Sequence, residues 1–290
     1  MRNEQEIYQL ILEVAQKDDR ILAVYMNGSR TNDNVPKDIF QDYDIVYVVN
    51  STQPFMEDKA WIDQFGERLY MQYPDDNPYY PSDKENRYGW LIQFADGNRM
   101  DIGVESLSHA RKHITDDKLC RVLLDKEQYL PAVGAPTDVD YWVKPPTLEQ
   151  YLTTCNEFWW CLNNVAKGLW REEIPYVQDM LYSPVREQLE RMLSWKIGVI
   201  TQFSVSVGKS GKYMYKWLTK EEWQNYLETY APGNVEAIWI AVEKMCNLFT
   251  DTAIWVGNQL GFSYDYEEGK NSRAYLDHVR MLPKDAKSIY

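Results

Sequence analysis

Apolar positions follow two different periods in the two halves of the chain. Ile7, Leu10, Ile11 and Val14 recur at helical spacing, which predicts an amphipathic helix over residues 4–17. The spacing then drops to two, and strands are predicted over 21–27, 43–49, 89–95 and 99–104, with a fifth at Arg121-Val122-Leu123-Leu124. Ala95-Asp96-Gly97-Asn98, between two apolar runs, is a hairpin signal. Residues 58–73 read as a helix, and a further helix over 106–114 separates the fourth and fifth strands. The stretch Tyr73-Pro74-Asp75-Asp76-Asn77-Pro78-Tyr79-Tyr80-Pro81 reads as a surface loop.

Pro131, Pro136, Pro145 and Pro146 punctuate a stretch of little periodicity over 131–147, which reads as an interdomain linker. Helical spacing returns beyond it. Thr147-Leu148-Glu149-Gln150 has the form of a capping box opening a helix to about Gly168. Ser183-Pro184 is expected to start another at Pro184 and run to about Phe203. Thr219 opens a third helix, and Asn234 a long fourth one to about Gly257. The expected class is therefore α+β: a mixed sheet with flanking helices over 1–135, followed by an all-α helical bundle over 136–290.

Candidate chemistry gathers on the strands. Asp42 and Asp44 lie at the head of Asp42-Tyr43-Asp44-Ile45-Val46-Tyr47-Val48-Val49, two apart, so a strand projects both carboxylates from one face. Two close like charges repel, and a cation between them removes the conflict. Rigid oxygen-only ligation suits Mg²⁺, which takes one or two carboxylates together with substrate phosphates. The preceding strand ends in Gly28-Ser29, where glycine permits a sharp turn and close approach to a ligand. Asp101 sits mid-strand among apolar neighbours. Three aspartates on adjacent strands can hold two metal ions roughly 3.5–4 Å apart, the clamp used in phosphoryl chemistry.

Gly28-Ser29, twelve residues, Asp42-x-Asp44 and then Asp101 on a later strand resembles the nucleotidyltransferase superfamily of polymerase-beta type. The string Gly28-Ser29-Arg30-Thr31-Asn32-Asp33 through Gln41-Asp42-Tyr43-Asp44-Ile45-Val46-Tyr47 resembles the aminoglycoside 6-adenylyltransferases more specifically, and the likeness runs the whole chain. The resemblance implies a nucleotidyltransferase domain over 1–135 and a helical substrate- and nucleotide-binding domain over 136–290, with ATP and Mg²⁺ between them. It implies an enzyme that transfers AMP from ATP to the 6-hydroxyl of streptomycin and so inactivates the antibiotic. Asp42, Asp44 and Asp101 would be the metal-holding and catalytic carboxylates, with Asp101 either a second-metal ligand or the base. Gly28, Ser29, Arg30, Lys209 and Lys212 would hold the nucleotide. The alternatives are a nucleotidyltransferase of another small molecule or of a protein hydroxyl, and a non-catalytic nucleotide-binding module. A pure binder has no need of all three aspartates.

Charge sharpens the choice of partner. The chain carries −13, unevenly: residues 1–146 hold 26 acidic against 16 basic side chains, and 147–290 hold 18 against 15. Such a surface repels nucleic acid and attracts a polycationic acceptor such as an aminoglycoside. Apolar stretches are too short for a membrane span, and the N-terminus lacks a signal-peptide pattern. With Cys120, Cys155, Cys161 and Cys246 at no metal-binding or paired spacing, a cytoplasmic protein with reduced packing thiols is expected.

Several residues have both a bland and a functional reading. Arg30 either steadies a phosphate or pairs with Asp33 or Asp38. Gly208-Lys209-Ser210-Gly211-Lys212 is no P-loop, since Phe203 stands where that motif needs glycine. Its two lysines suit the β- and γ-phosphates or form a solvated turn. His109 and His113, four apart on a helix, lack a third ligand and read as solvated surface. Asp75 and Asp76 with Tyr79 and Tyr80 suit guanidinium recognition or a plain solvated loop. Asp179 and Trp195 are acceptor contacts or ordinary bundle residues. Oligomeric state is not legible.

Overall fold

The computed structural model describes all 290 residues, in two compact units, Met1–Asp140 and Tyr141–Tyr290. In the first, helix α1 (Glu4–Lys17) is opened by Asn3, whose side chain accepts from the Glu6 N–H while Glu6 answers back, a capping box. Six strands follow: β1 (Ile21–Asn27), β2 (Tyr43–Val49), β3 (Arg68–Gln72), β4 (Arg87–Phe94), β5 (Arg99–Ser106) and β6 (Cys120–Asp125). Their order across the sheet is β3-β4-β5-β2-β1-β6. Only β2 and β5 pair in parallel, so the sheet is mixed.

The alternation read from sequence divides the sheet's two faces. Tyr43, Ile45, Tyr47, Trp90, Ile92, Met100, Ile102 and Val104 bury one face against Ile7, Ile11 and Val14 of α1 and against Trp61 and Phe65. The opposite face is covered only at one end, where helix α3 (Leu107–His113) sets Ala110 against Ala23, Tyr25 and Val48. Asp44, Gly89, Asp101 and Gly103 of that face line a cavity. Asp44 and Asp101 stand on that face half-buried, away from the hydrocarbon of the main core.

Residues 58–73 are not one helix. Helix α2 (Gln53–Glu57) is short, Trp61–Phe65 form a 3-10 turn, and β3 then pairs with β4. Trp61, Ile62 and Phe65 are buried and account for the helix-like spacing. Gly66 (φ +120°) then turns the chain into an edge strand whose Leu69 and Tyr70 are exposed. Pairing with β4 overrides a weak local pattern.

The second unit is all helical: α4 (Leu148–Arg171), α5 (Ile174–Met180), α6 (Arg186–Ile200), α7 (Lys220–Leu227), α8 (Val235–Leu260) and α9 (Tyr266–Met281). Thr147 with Gln150 and Thr219 with Glu222 form the expected capping boxes, and Asn234 caps α8. Phe158 and Phe249 stack at 3.7 Å in a core with Leu162, Leu189, Met192 and Val256. Pro184 does not begin a helix. It lies in a π turn, Leu181–Val185, that carries α5 on into α6. A π turn widens the hydrogen-bond ladder, which accommodates a residue with no N–H to give. Gly257 does not end α8, which runs on to Leu260; the Tyr151 hydroxyl would lie 2.8 Å from a Cβ at Gly257, an approach that glycine keeps open. Gly261 (φ +74°) is the left-handed residue that ends it. No helix is long and apolar enough to cross a membrane.

Candidate active site

Register assembles the site. Antiparallel pairing sets Asn27 at the end of β1 opposite Asp44, and parallel pairing sets Asp44 opposite Asp101. Asp42 lies just before β2, two residues from Asp44. The carboxylates of Asp42, Asp44 and Asp101 each offer an oxygen within 4.8 Å of the others, and all three side chains are half-buried. The three aspartates named from sequence therefore converge.

Gly28 closes one side. Its φ of +76° and ψ of −156° suit glycine alone, and a Cβ there would stand 2.1 Å from Asp44 Oδ2. The chain then winds into a 3-10 turn, Ser29–Thr31, held by Thr31 N–H and Oγ1 donating to the Gly28 carbonyl at 3.1 and 2.8 Å.

Arg30 serves the backbone of the loop that precedes β2. Its Nε donates to the Asp42 carbonyl (2.9 Å) and its Nη2 to the Gln41 carbonyl (2.8 Å). Nη1 reaches Glu4 at 3.1 Å, and the guanidinium lies 3.6 Å over the Tyr43 ring. A fork so occupied fixes the backbone that delivers Asp42; it pairs with neither Asp33 nor Asp38.

Arg99 is the residue that sequence reasoning missed. Its Nε and Nη2 donate to Asp101 Oδ1 and Oδ2 at 3.0 and 2.7 Å, and its Nε lies 3.7 Å from Asp42 Oδ2. The signal was present, since a residue two before Asp101 on a strand shares its face.

Asp44 carries the electrostatic load of the cluster. Burial first, then the charges of Asp42 and Asp101, push its carboxyl up to about 7, with Arg99 partly offsetting them. Such a group gains from a cation. Three oxygens at this spacing with Arg99 already standing in as counter-charge fit a divalent ion.

Beside the carboxylates, on the same face of the sheet, lies a cavity of about 610 Å³. Gly89 and Gly103 face each other across β4 and β5 and leave its floor bare. Asp75 also lines it, fixed by the Gly89 N–H donating to its Oδ2 at 2.8 Å. Asp76 instead accepts from Lys84 and the Tyr88 hydroxyl at 2.8 and 2.7 Å, while Tyr79 and Tyr80 are exposed.

His109 and His113 are not simply solvated. The ring centroids lie 4.3 Å apart with the planes tilted by 31°, and His109 Nδ1 bonds to Glu105, a buried carboxylate that also accepts from the Tyr25 hydroxyl. All four cysteines are buried and unpaired.

Lys209 and Lys212 belong to the second unit: Lys209 opens a 3-10 turn after Gly208 (φ +74°), and Lys212 caps it just after Gly211 (φ +69°). Both are exposed, and Lys212 Nζ lies 5.0 Å over the Tyr213 ring. Asp179 is exposed on α5. Trp195 is a buried core residue whose edge lines a second-unit cavity with Glu149 and Arg191.

The profile of the streptomycin adenylyltransferase family matches residues 1–279. An aminoglycoside 6-adenylyltransferase of Bacillus subtilis is 38% identical over 93% of this chain and 95% of its own. One from Campylobacter jejuni is 37% identical over 94% of each. A crystal structure of an aminoglycoside 6-adenyltransferase from Bacillus subtilis aligns over 97% of this chain and 100% of its own, at 31% identity and a TM-score of 0.48. The chain belongs to the streptomycin adenylyltransferase family and is a nucleotidyltransferase.

Proposed function

We propose that this member of the streptomycin adenylyltransferase family transfers AMP from ATP to the 6-hydroxyl of streptomycin, with Mg²⁺ held by Asp42, Asp44 and Asp101. The observation that carries the reading is the convergence of those three carboxylates, within 4.8 Å, beside a glycine that leaves Asp44 uncovered. In the reaction the acceptor hydroxyl attacks the α-phosphorus in line and its proton leaves to solvent, a new P–O bond forms, and the bond to the β-phosphate oxygen breaks to release pyrophosphate. Bound Mg²⁺ supplies the positive charge that the triphosphate and leaving group require.

The chain's own part is positioning. Arg30 holds the carbonyls on either side of the Gln41–Asp42 peptide, so the Asp42 carboxylate is delivered from a fixed backbone. Gly28 and the Ser29 turn form the wall against which phosphates lie. Both Asp101 oxygens are engaged by Arg99, so Asp101 acts as a ligand or as a base only once Arg99 has released one of them. Lys209 and Lys212 are assigned to the β- and γ-phosphates on charge. The net excess of acid in residues 1–146 and the cavity lined by Asp44, Asp75 and Asp101 favour a polycationic acceptor.

Pyrophosphate release from ATP and Mg²⁺, measured across streptomycin, other aminoglycosides, lincosamides and buffer alone, tests the reading. Streptomycin-dependent release is expected. Release with a neutral acceptor only, or with none of the aminoglycosides, would move the assignment to another nucleotidyl acceptor.

A further inference from the structure

Arg99 is placed where a metal ion would compete with it. The guanidinium engages both oxygens of Asp101 and comes within 3.7 Å of Asp42 Oδ2, so its one positive charge offsets Asp101 and screens Asp42. Any ion shared among Asp42, Asp44 and Asp101 must take an oxygen that Arg99 already occupies, and two cations on one carboxylate oxygen repel each other. The Arg99 side chain is 48% exposed and can swing into water, whereas the carboxylates are held by β2 and β5 in register. Exposed ion pairs are individually weak, so a divalent ion with three carboxylates can displace this one.

From this we infer that Arg99 is a displaceable counter-cation: it holds the Asp42–Asp101 side of the cluster together when no metal is there and must withdraw from Asp101 for a metal to bind. The inference rests on the metal reading of the cluster. Arg99 is then a positioning residue that acts through Asp101. Its effects on the protein have opposite signs: it stabilises the metal-free fold by screening repulsion among the carboxylates, and it weakens metal binding by competition.

The test titrates Mn²⁺ into the full-length, nucleotide-free protein and reads free Mn²⁺ by its paramagnetic resonance, alongside thermal melts in EDTA. Arg99→Gln should melt lower than wild type in EDTA yet bind Mn²⁺ roughly five-fold tighter or more, the lower end of ordinary coupling between two ligands of one group. Arg99→Lys keeps the charge but loses the planar fork, and should fall between the two. It also carries the test should the glutamine variant fold poorly. Adding Asp101→Asn to Arg99→Gln should erase the gain in Mn²⁺ affinity. A merely structural arginine would lower the melting temperature without tightening metal binding, so unchanged or weaker Mn²⁺ binding in both variants overturns the inference while leaving the metal site standing. Failure of wild type and variants alike to bind Mn²⁺ removes the metal reading and this inference together.

Discussion

Gly28 and Asp44 occupy each other's space: a Cβ on Gly28 would stand 2.1 Å from Asp44 Oδ2. The turn that ends β1 is thereby fitted to the carboxylate that begins the site on β2. Gly28→Ala meets two separate obstacles, the collision and a φ of +76°. It should lower stability by at least ~2 kcal/mol and displace Asp44, with loss of adenylyl transfer. Gly97→Ala is the control, because its φ of +90° is also unfavourable but nothing lies within 4 Å of the added carbon. It should lose stability and keep turnover. Equal effects on turnover from both substitutions would show that the Gly28–Asp44 fit is incidental.

Protonation of Asp44 gives a pH signature. Its carboxyl is raised from 3.8 to about 7, so between those values the native protein keeps a proton that the unfolded chain has released. Metal-free stability should therefore fall as pH rises through that window, by a few kcal/mol at most, and level off above it. A metal ion displaces the same proton, so metal affinity should climb by roughly ten-fold per pH unit below 7 and flatten above. Melts in EDTA across the window and Mn²⁺ titrations on either side of it measure both. Asp44→Asn should abolish the stability slope; a slope that survives in that variant belongs to another group.

Removing charge from the cluster separates function from folding. Asp42→Asn and Asp44→Asn should lower adenylyl transfer by orders of magnitude while the metal-free melting temperature holds or rises, since repulsion is relieved. Near-wild-type turnover in both variants at saturating Mg²⁺ is the outcome that rules out the mechanism. For Asp101→Asn, metal dependence should shift together with rate if the residue is a ligand. A rate loss at unchanged metal affinity would make it the base instead.

Acceptor capture should depend on salt. Screening shortens from roughly 30 Å at 0.01 M to roughly 8 Å at 0.15 M ionic strength, which weakens the pull of an acidic surface on a polycation. With ATP held saturating, the KM for streptomycin should rise across that range while kcat changes little. A flat KM counts against a charge-selected acceptor.

Local chemistry was readable wherever a residue's own geometry sets the outcome. Asparagine and threonine caps placed the starts of α4, α7 and α8 to the residue, because a cap bonds only to N–H groups two or three positions on. Alternation placed most of the strands and set Asp44 on the face opposite the apolar core, because neighbours one apart on a strand point to opposite faces. Where local signals were weak the reading failed. It merged Trp61–Phe65 with an edge strand, took Pro184 for a start and passed over α9 (Tyr266–Met281), whose Asp265 cap was visible.

What sequence could not supply is everything fixed by pairing between distant segments. The parallel register of β2 on β5 brings Asp101 level with Asp44, and a slip of one residue would send it to the opposite face. Arg30 was legible as a cation but not as the clamp on residues 41 and 42, which the intervening loop carries back to it. Arg99 could be placed on the face of Asp101, yet only the sheet put Asp42 near enough to share it. The sequence by itself determined which side chains could do this chemistry and the two-part architecture that carries them. Tertiary structure decided which ones meet, because strand register and loop return are set by the summed burial of a whole sheet face rather than by any residue in the site.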